Sequence, residues 1–470
     1  MTASHSLRTP ARAVIAVIAA AVLTATLLIA SPTLANAVSL VDRLDGPDRY
    51  SASVAMSQAM PTTGRTIFLA SGEKFPDALA AAPVVAAERA HMLLTPGRDI
   101  PPVVATEIRR IAPSNIVLVG STATLSEAVR AEAAALAPGA RIERINGVDR
   151  VHVSMLLLDR LRTTLPAADV WVASGLKFPD ALAAGAVAAR NGHALILTVG
   201  ANATFREQLQ ARLGPTARYY IAGAEVTVGD DVRAMLEATG RPVSRYAGAD
   251  RYATAIAINQ AFTTSSSDGS ILLASGAMFP DALGGAVLAG VTGRPLYLTY
   301  PPCAASDAVL HEAGRIGAMG VIALGGPPTV SRDAALLRSC SVMPAIGSID
   351  SAMDAHRATL TGPVAPLQRQ ACLDAMAQAW ANEMAARQLV LAHNPDLQAE
   401  SRTCGMRSWS ENVGRTWGQD APSADRIMQA WLDSPGHRAN IERVSSEHVG
   451  IGIAHAAKGD WYYVVNFGTD

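Results

Sequence analysis

Lysine is nearly absent from this chain. Of the 39 basic residues among 470, only Lys74, Lys177 and Lys458 are lysines. Aromatic residues make up 5% of the total, so alanine and the small aliphatics must fill much of any core. The formal charge is −1, which argues against a nucleic-acid binder, since such proteins are usually basic. No Cys-x-x-Cys or Cys/His spacing suggests a zinc knuckle, and no Gly-x-Gly-x-x-Gly string opens a helix, which disfavours a nucleotide-dependent enzyme. Beyond the first 37 residues no apolar run is long enough to span a membrane.

The N-terminus has its own character. Arg8 and Arg12 precede an apolar stretch from Ala13 to Ala30, and the segment ends in Ala35-Asn36-Ala37, a small-residue cleavage pattern. The pattern predicts a signal peptide over residues 1–37 and a mature start at Val38, in preference to an uncleaved anchor. Loss of two arginines then takes the formal charge from −1 to −3. An exported chain meets oxidising conditions. Cys303, Cys340, Cys372 and Cys404 are therefore expected as disulfides, paired 303–340 and 372–404 so that each bridge stays within one domain.

Three strings recur in order. The first is RLDGPDRY from Arg43, RINGVDRV from Arg144 and RYAGADRY from Arg245. The second is Phe-Pro-Asp-Ala-Leu, with Asp77, Asp180 and Asp281, preceded in two copies by Lys74 and Lys177. The third is an apolar run ending at Gly120, Gly223 and Gly325. The period is near 100 residues, so each copy is large enough to be a small domain. Within the first copy, short apolar strands (TIFLAS, HMLLT, NIVLVG) alternate with helical stretches, which predicts a parallel sheet covered on both faces. Asp77, Asp180 and Asp281 then fall just after a strand, at a helix start. They read as helix caps, or as part of a site beyond the carboxyl ends of the strands. The Asp48-Arg49, Asp149-Arg150 and Asp250-Arg251 pairs read as ion pairs that tie down a loop. The other reading is that Arg49, Arg150 and Arg251, with Arg294 nearby in the third copy, offer their forks to an anionic polymer.

These ordered motifs resemble the type 2 cell-wall-binding repeat of Gram-positive bacteria. The resemblance covers residues 38–141, 142–242 and 243–341. It implies three Rossmann-like α/β units in a pseudo-threefold arrangement that hold the chain non-covalently to an anionic secondary cell-wall polymer at the cell surface. The family's Pro-Ile-Leu-Leu element is matched best by Pro295–Leu298, and the second copy has Val151 where the others have Tyr50 and Tyr252.

The remaining residues differ. SVMPAIGS reads as a linker. Leu373, Met376, Ala377, Trp380 and Met384 then lie on one face of a helix, and VGIGIA and WYYVVNFG read as strands. His393, Glu411 and His437 are polar groups that could hold a metal or exchange protons; scattered groups of this kind are more often structural. The strings LAHN, SENVG, AWLDSPGHRANI, VGIGIA and WYYVVNFG resemble the CAP superfamily of cysteine-rich secretory, antigen-five and pathogenesis-related proteins. That resemblance covers residues 348–470. It implies an α/β/α sandwich with a cleft of two His and two Glu, sometimes holding a divalent metal such as zinc. His393, Glu411 and His437 match three positions; the fourth is Ser434, preceded by Asp433, and neither Asp433 nor Glu447 can be assigned as its substitute. The expectation is a binding or adhesion-type domain with an unknown ligand, the alternative being a metal-assisted hydrolase or protease.

Overall fold

A computed structural model describes residues 39–470, apart from 62–63, 213–217, 302, 305–306, 319, 363 and 419–420. The expected signal peptide and the Val38 start lie outside the described residues. Strand β1 (Ser39–Leu44) and helix α1 (Arg49–Gln58) come first. They are followed by β2 (Thr66–Ser71), α2 (Phe75–Ala87), β3 (His91–Thr95), α3 (Pro102–Ile111), β4 (Asn115–Val119) and α4 (Glu127–Leu136). The second copy runs through β5 (Arg141–Ile145), α5 (Arg150–Thr164), β6 (Val170–Ser174), α6 (Phe178–Asn191), β7 (Ala194–Thr198), α7 (Ala203–Gln210), β8 (Tyr219–Ala222) and α8 (Asp230–Glu237). The third has β9 (Val243–Tyr246), α9 (Arg251–Phe262), β10 (Ser270–Ser275), α10 (Pro280–Thr292), β11 (Leu296–Thr299), α11 (Ala308–Arg315), β12 (Gly320–Leu324) and a one-turn α12 (Arg332–Ala335).

The strands form three parallel four-stranded sheets in the orders β3-β2-β4-β5, β7-β6-β8-β9 and β11-β10-β12-β1. Strands β2, β3, β6 and β7 are almost entirely buried, as their continuous apolar runs require, whereas the edge strands β5 and β9 are half-exposed. Sheet and sequence repeat are out of phase by one strand. The strand that opens each sequence copy completes the preceding sheet, so β5 and β9 leave the copies to which sequence assigned them. The first of these strands, β1, pairs with β12 and closes the three units into a ring.

The Phe-Pro-Asp-Ala-Leu helices α2, α6 and α10 pack on one another at the centre of the ring. Their rows of alanine and glycine allow close approach. A Cβ added at Gly290 would sit 2.6 Å from Ala86 and 2.7 Å from Ala189. At the other end of the helices Phe75, Phe178 and Phe279 meet, with ring centroids 5.6–6.1 Å apart. Tilted contacts of this kind are worth about 0.5–1.5 kcal/mol each beyond burial. The triplicated string thus builds the hub of the ring.

The C-terminal domain consists of α13 (Met343–Arg357), β13 (Gln368–Arg369), α14 (Ala371–Arg387), α15 (Leu397–Thr403), β14 (Ser408–Thr416), α16 (Ala424–Asp433), α17 (Pro435–Glu442), β15 (His448–His455) and β16 (Trp461–Thr469). Its sheet has the order β13-β15-β16-β14. Helix α14 covers one face, and α13, α16 and α17 the other, which makes an α/β/α sandwich. Gly450 and Gly452 let α14 lie directly on β15, because a Cβ at either would collide with the backbone of Leu373 or Ala377. Disulfides join Cys303–Cys340 and Cys372–Cys404, as expected.

The expected linker does not exist as one. Residues 343–348 lie in α13, and Val342 and Ile346 sit in the C-terminal core, so that domain begins before residue 348. The third copy's fourth helix is cut to the single turn α12, and the chain there turns into the C-terminal domain. Arg338, 4% exposed, donates to Gln378 Oε1 (2.8 Å), Asp374 O (2.9 Å), Ile451 O (2.8 Å) and Asp333 Oδ1 (2.7 Å). Asn382 donates to Leu336 O at 2.7 Å, and His311 Nε2 meets His455 O at 2.7 Å. Ring and C-terminal domain are joined by a buried polar network.

Candidate functional site

The three strings meet at the carboxyl ends of the strands. In each unit β2, β6 or β10 sits between neighbours whose crossovers run in opposite directions. This is the switch point at which open α/β sheets take their ligands. The loop after β4 turns at Gly120 (φ 109°), that after β8 at Gly223 (φ 104°) and that after β12 at Gly325 (φ 97°). These are left-handed conformations that favour glycine. A Cβ at any of the three would strike the carboxylate of Asp77, Asp180 or Asp281 respectively, and also Thr124, Thr227 or Thr329.

The aspartates are therefore not caps. The cap positions of the hub helices are Lys74, Lys177 and Phe279, and none makes a side-chain cap bond. Asp77, Asp180 and Asp281 lie in the first turn and pack against the glycine loop instead. Burial raises all three carboxyl pKa values. Threonine hydroxyls hydrogen-bond Asp180 and Asp281 and oppose the rise, whereas no such bond acts on Asp77, whose pKa is pushed up to about 6.

The Asp-Arg neighbours also divide their work. Among the described ion pairs they do not pair with each other. Asp48, Asp149 and Asp250 cap α1, α5 and α9 through backbone N–H groups. Arg49 donates to Gly72 O at 2.6 Å, Arg251 to Gly276 O at 2.5 Å, and Arg150 to Gly175 O. Each of these arginines also faces the first-turn aspartate of the preceding unit: Arg150 with Asp77, Arg251 with Asp180 and, across the closure, Arg49 with Asp281. The first arginine of the string braces the glycine loop. Arg43, Arg144 and Arg245 each donate from Nη1 to two carbonyls, those of Gly325 and Val330, Gly120 and Leu125, and Gly223 and Val228.

Among the described residues two of these seams are lined as clefts. One, of about 470 Å³, is lined by Lys74, Asp77, Thr124, Asp149 and Arg150, with Phe279 reaching in from the hub. The other, of about 390 Å³, holds the equivalent Lys177, Asp180, Thr227, Asp250 and Arg251, with Phe75. Arg294 is not part of this arrangement. It precedes β11, at the amino end of the sheet, where Nε donates to Asp268 at 2.8 Å. The threonines escaped the sequence reading, although their constant place four residues after each anchor glycine (STAT, AEVT, GPPT) was a usable signal.

In the C-terminal domain the structure brings His393, Glu411 and His437 together. Glu411 lies on β14 with a fully buried side chain. Its Oε1 accepts from Asn394 N at 2.9 Å and meets His393 Nδ1 at 2.8 Å. With its amide nitrogen turned inward, Asn466 donates to Oε2 at 3.2 Å. The His393 and His437 ring centroids are 6.5 Å apart. Glu411 raises the pKa of His393; burial, together with the neighbouring His393, lowers that of His437. Asn412 donates to His437 O at 3.0 Å and Asn440 to Glu411 O at 3.2 Å, so asparagines that sequence did not single out position the cleft. Ser434 caps α17 by its backbone, and Asp433 accepts from Gln429 on its own helix. Glu447 clusters instead with His448 and Asp470. With both Glu411 oxygens already hydrogen-bonded, only the two imidazoles are left to offer a metal, one fewer than the three protein ligands usual for catalytic zinc.

Residues 43–130, 144–233 and 245–335 each match the family model for cell wall binding domain 2 (CWB2), and residues 352–467 match that of the cysteine-rich secretory protein family (CAP). Two curated relatives come from Bacillus subtilis (strain 168). The N-acetylmuramoyl-L-alanine amidase LytC is 26% identical over 273 residues, which is 58% of this chain and 53% of LytC. The amidase enhancer is 26% identical over 253 residues, 54% of this chain and 34% of the enhancer. The chain thus spans about half or less of these relatives. Among solved structures, Cwp6 from Clostridium difficile shares the fold with a TM-score of 0.57 at 20% identity, over 64% of this chain and 48% of that one. The chain belongs to the cell wall binding domain 2 family, with three copies of the repeat followed by a CAP domain.

Proposed function

We propose that the ring attaches the chain non-covalently to an anionic polymer of the cell wall, and that the CAP domain is a ligand-binding module carried on it at the cell surface. The observation that supports this most is the convergence of the triplicated motifs on seam clefts at the carboxyl ends of the strands, where lysine and arginine side chains stand beside an aromatic floor. Among the described residues no helix is long and apolar enough to cross a membrane. Cell fractionation tests the reading. The chain should be found in the wall fraction and should be released when the anionic polymer is extracted; recovery in the wall fraction after that extraction contradicts it.

A second reading, hydrolysis in the CAP cleft, is favoured by one feature. His393 and His437 are pushed to opposite sides of the ordinary imidazole pKa, as an acid and a base would be. Against it, the fourth position of the cleft is the cap residue Ser434. Zinc titration by calorimetry decides between the two. The binding reading expects no tight zinc site and no turnover of peptide or peptidoglycan. Zinc binding that disappears in His393→Ala/His437→Ala would establish the other.

A further inference from the structure

We propose that the polymer is held at two of the three seams, by Lys74 and Lys177, and that the closing seam between the third and first copies does not hold it. This rests on the wall-attachment reading above and assigns its residues.

The chain spends its lysines sparingly. Two of its three stand at equivalent positions on the rims of the two open clefts, and the third, Lys458, lies in the turn between β15 and β16. At the closing seam the equivalent residue is the exposed Met278. That seam also gains a carboxylate. Asp45 stands where the other copies have Asn146 and Ala247, and it acts on Asp281. Arg49 therefore faces Asp45, Asp48 and Asp281 without help. At the second seam Lys177 and Arg251 balance Asp180 and Asp250, and at the first Lys74 and Arg150 stand against Glu73, Asp77 and Asp149.

The arginines are poor candidates for the variable contact. Each already spends Nη1 on a loop carbonyl within its own copy, and all three seams have one. Nor can an anion take the start of the hub helix, because an aspartate already occupies that first turn. The lysines, by contrast, are exposed. Among the described contacts Lys74 Nζ makes one bond, a 3.3 Å approach to Ala123 O, and Lys177 makes none. A mobile ammonium on the rim of a cleft can meet phosphate or carboxylate groups along a flexible polymer.

The test uses the full chain and purified Bacillus subtilis wall, intact or stripped of its anionic polymers. Lys74→Gln and Lys177→Gln should each weaken binding about tenfold, and the double variant more than thirtyfold with a flatter salt dependence. Lys458→Gln should change nothing. Met278→Lys should tighten binding several-fold, whereas Met278→Gln should not. All of these positions are exposed, and matching melting temperatures exclude a folding defect. Wild-type binding to intact wall only, with the double variant within twofold of it, overturns this assignment and leaves wall attachment standing. Wild type that binds neither wall overturns both.

Discussion

Asp77→Asn offers a direct reading of the energy stored in the ring. The Asp77 carboxyl is buried against the Gly120 loop, receives no threonine hydrogen bond, and has its pKa pushed up to about 6 from an unfolded value near 3.8. A carboxyl raised in the folded state binds its proton more tightly there than in the unfolded chain. Stability is therefore fully present below about pH 4 and is lost as the pH rises through about 6. A rise of about two units corresponds to at most about 3 kcal/mol at neutral pH. Asn removes the charge and keeps the shape, so it should recover about 2–3 kcal/mol at pH 7.5 and almost nothing at pH 4. Asp180→Asn and Asp281→Asn should gain less, because Thr227 and Thr329 already stabilise those carboxylates. Urea denaturation of the full chain at the two pH values measures this. An equal effect at both, or a loss at pH 7.5, would refute the reasoning. Protonation also removes a negative charge from the first seam, so wall binding should strengthen as the pH falls below about 6.

Arg338→Ala breaks the network between ring and CAP domain and removes the Arg338 donor from the carbonyls of Asp374 and Ile451. It should cost about 3–5 kcal/mol and split a single calorimetric transition into two; one unshifted transition would contradict the rigid junction. Gly452→Ala should destabilise the CAP domain by about 2 kcal/mol or more, since its Cβ would meet the backbone of Ala377. By contrast Gly347→Ala, with open space inside α13, should stabilise it by about 0.5–1 kcal/mol, both read from thermal melts.

Much of the fold was legible because its signals are local. TIFLAS, HMLLT and NIVLVG are strands, the segments between them are helices, and each disulfide joins cysteines within one domain. Ring closure was not legible. β1 pairs with β12 across some 280 residues, and nothing in SLVDRL says which sheet it completes. Helix α13 was readable from Val342, Ile346, Ile349 and Met353 at helical spacing, but the composition of SVMPAIGS suggested a linker. At the seams, the recurrence of Asp and Arg was visible, yet their division into first-turn packing, capping and loop bracing depends on which carbonyls lie within reach. In the cleft, His393, Glu411 and His437 came from family motifs, and the asparagines that hold them carry no periodic signal. Arg294 was misplaced because nearness in sequence to a motif says nothing about which end of a strand a residue occupies.

Co-sedimentation of the full chain with purified wall tests the central claim most directly. The chain should pellet with intact wall, remain in solution with wall stripped of its anionic polymer, and be released by rising salt as screening weakens the lysine contacts. Equal sedimentation with both walls, or none with either, would contradict it.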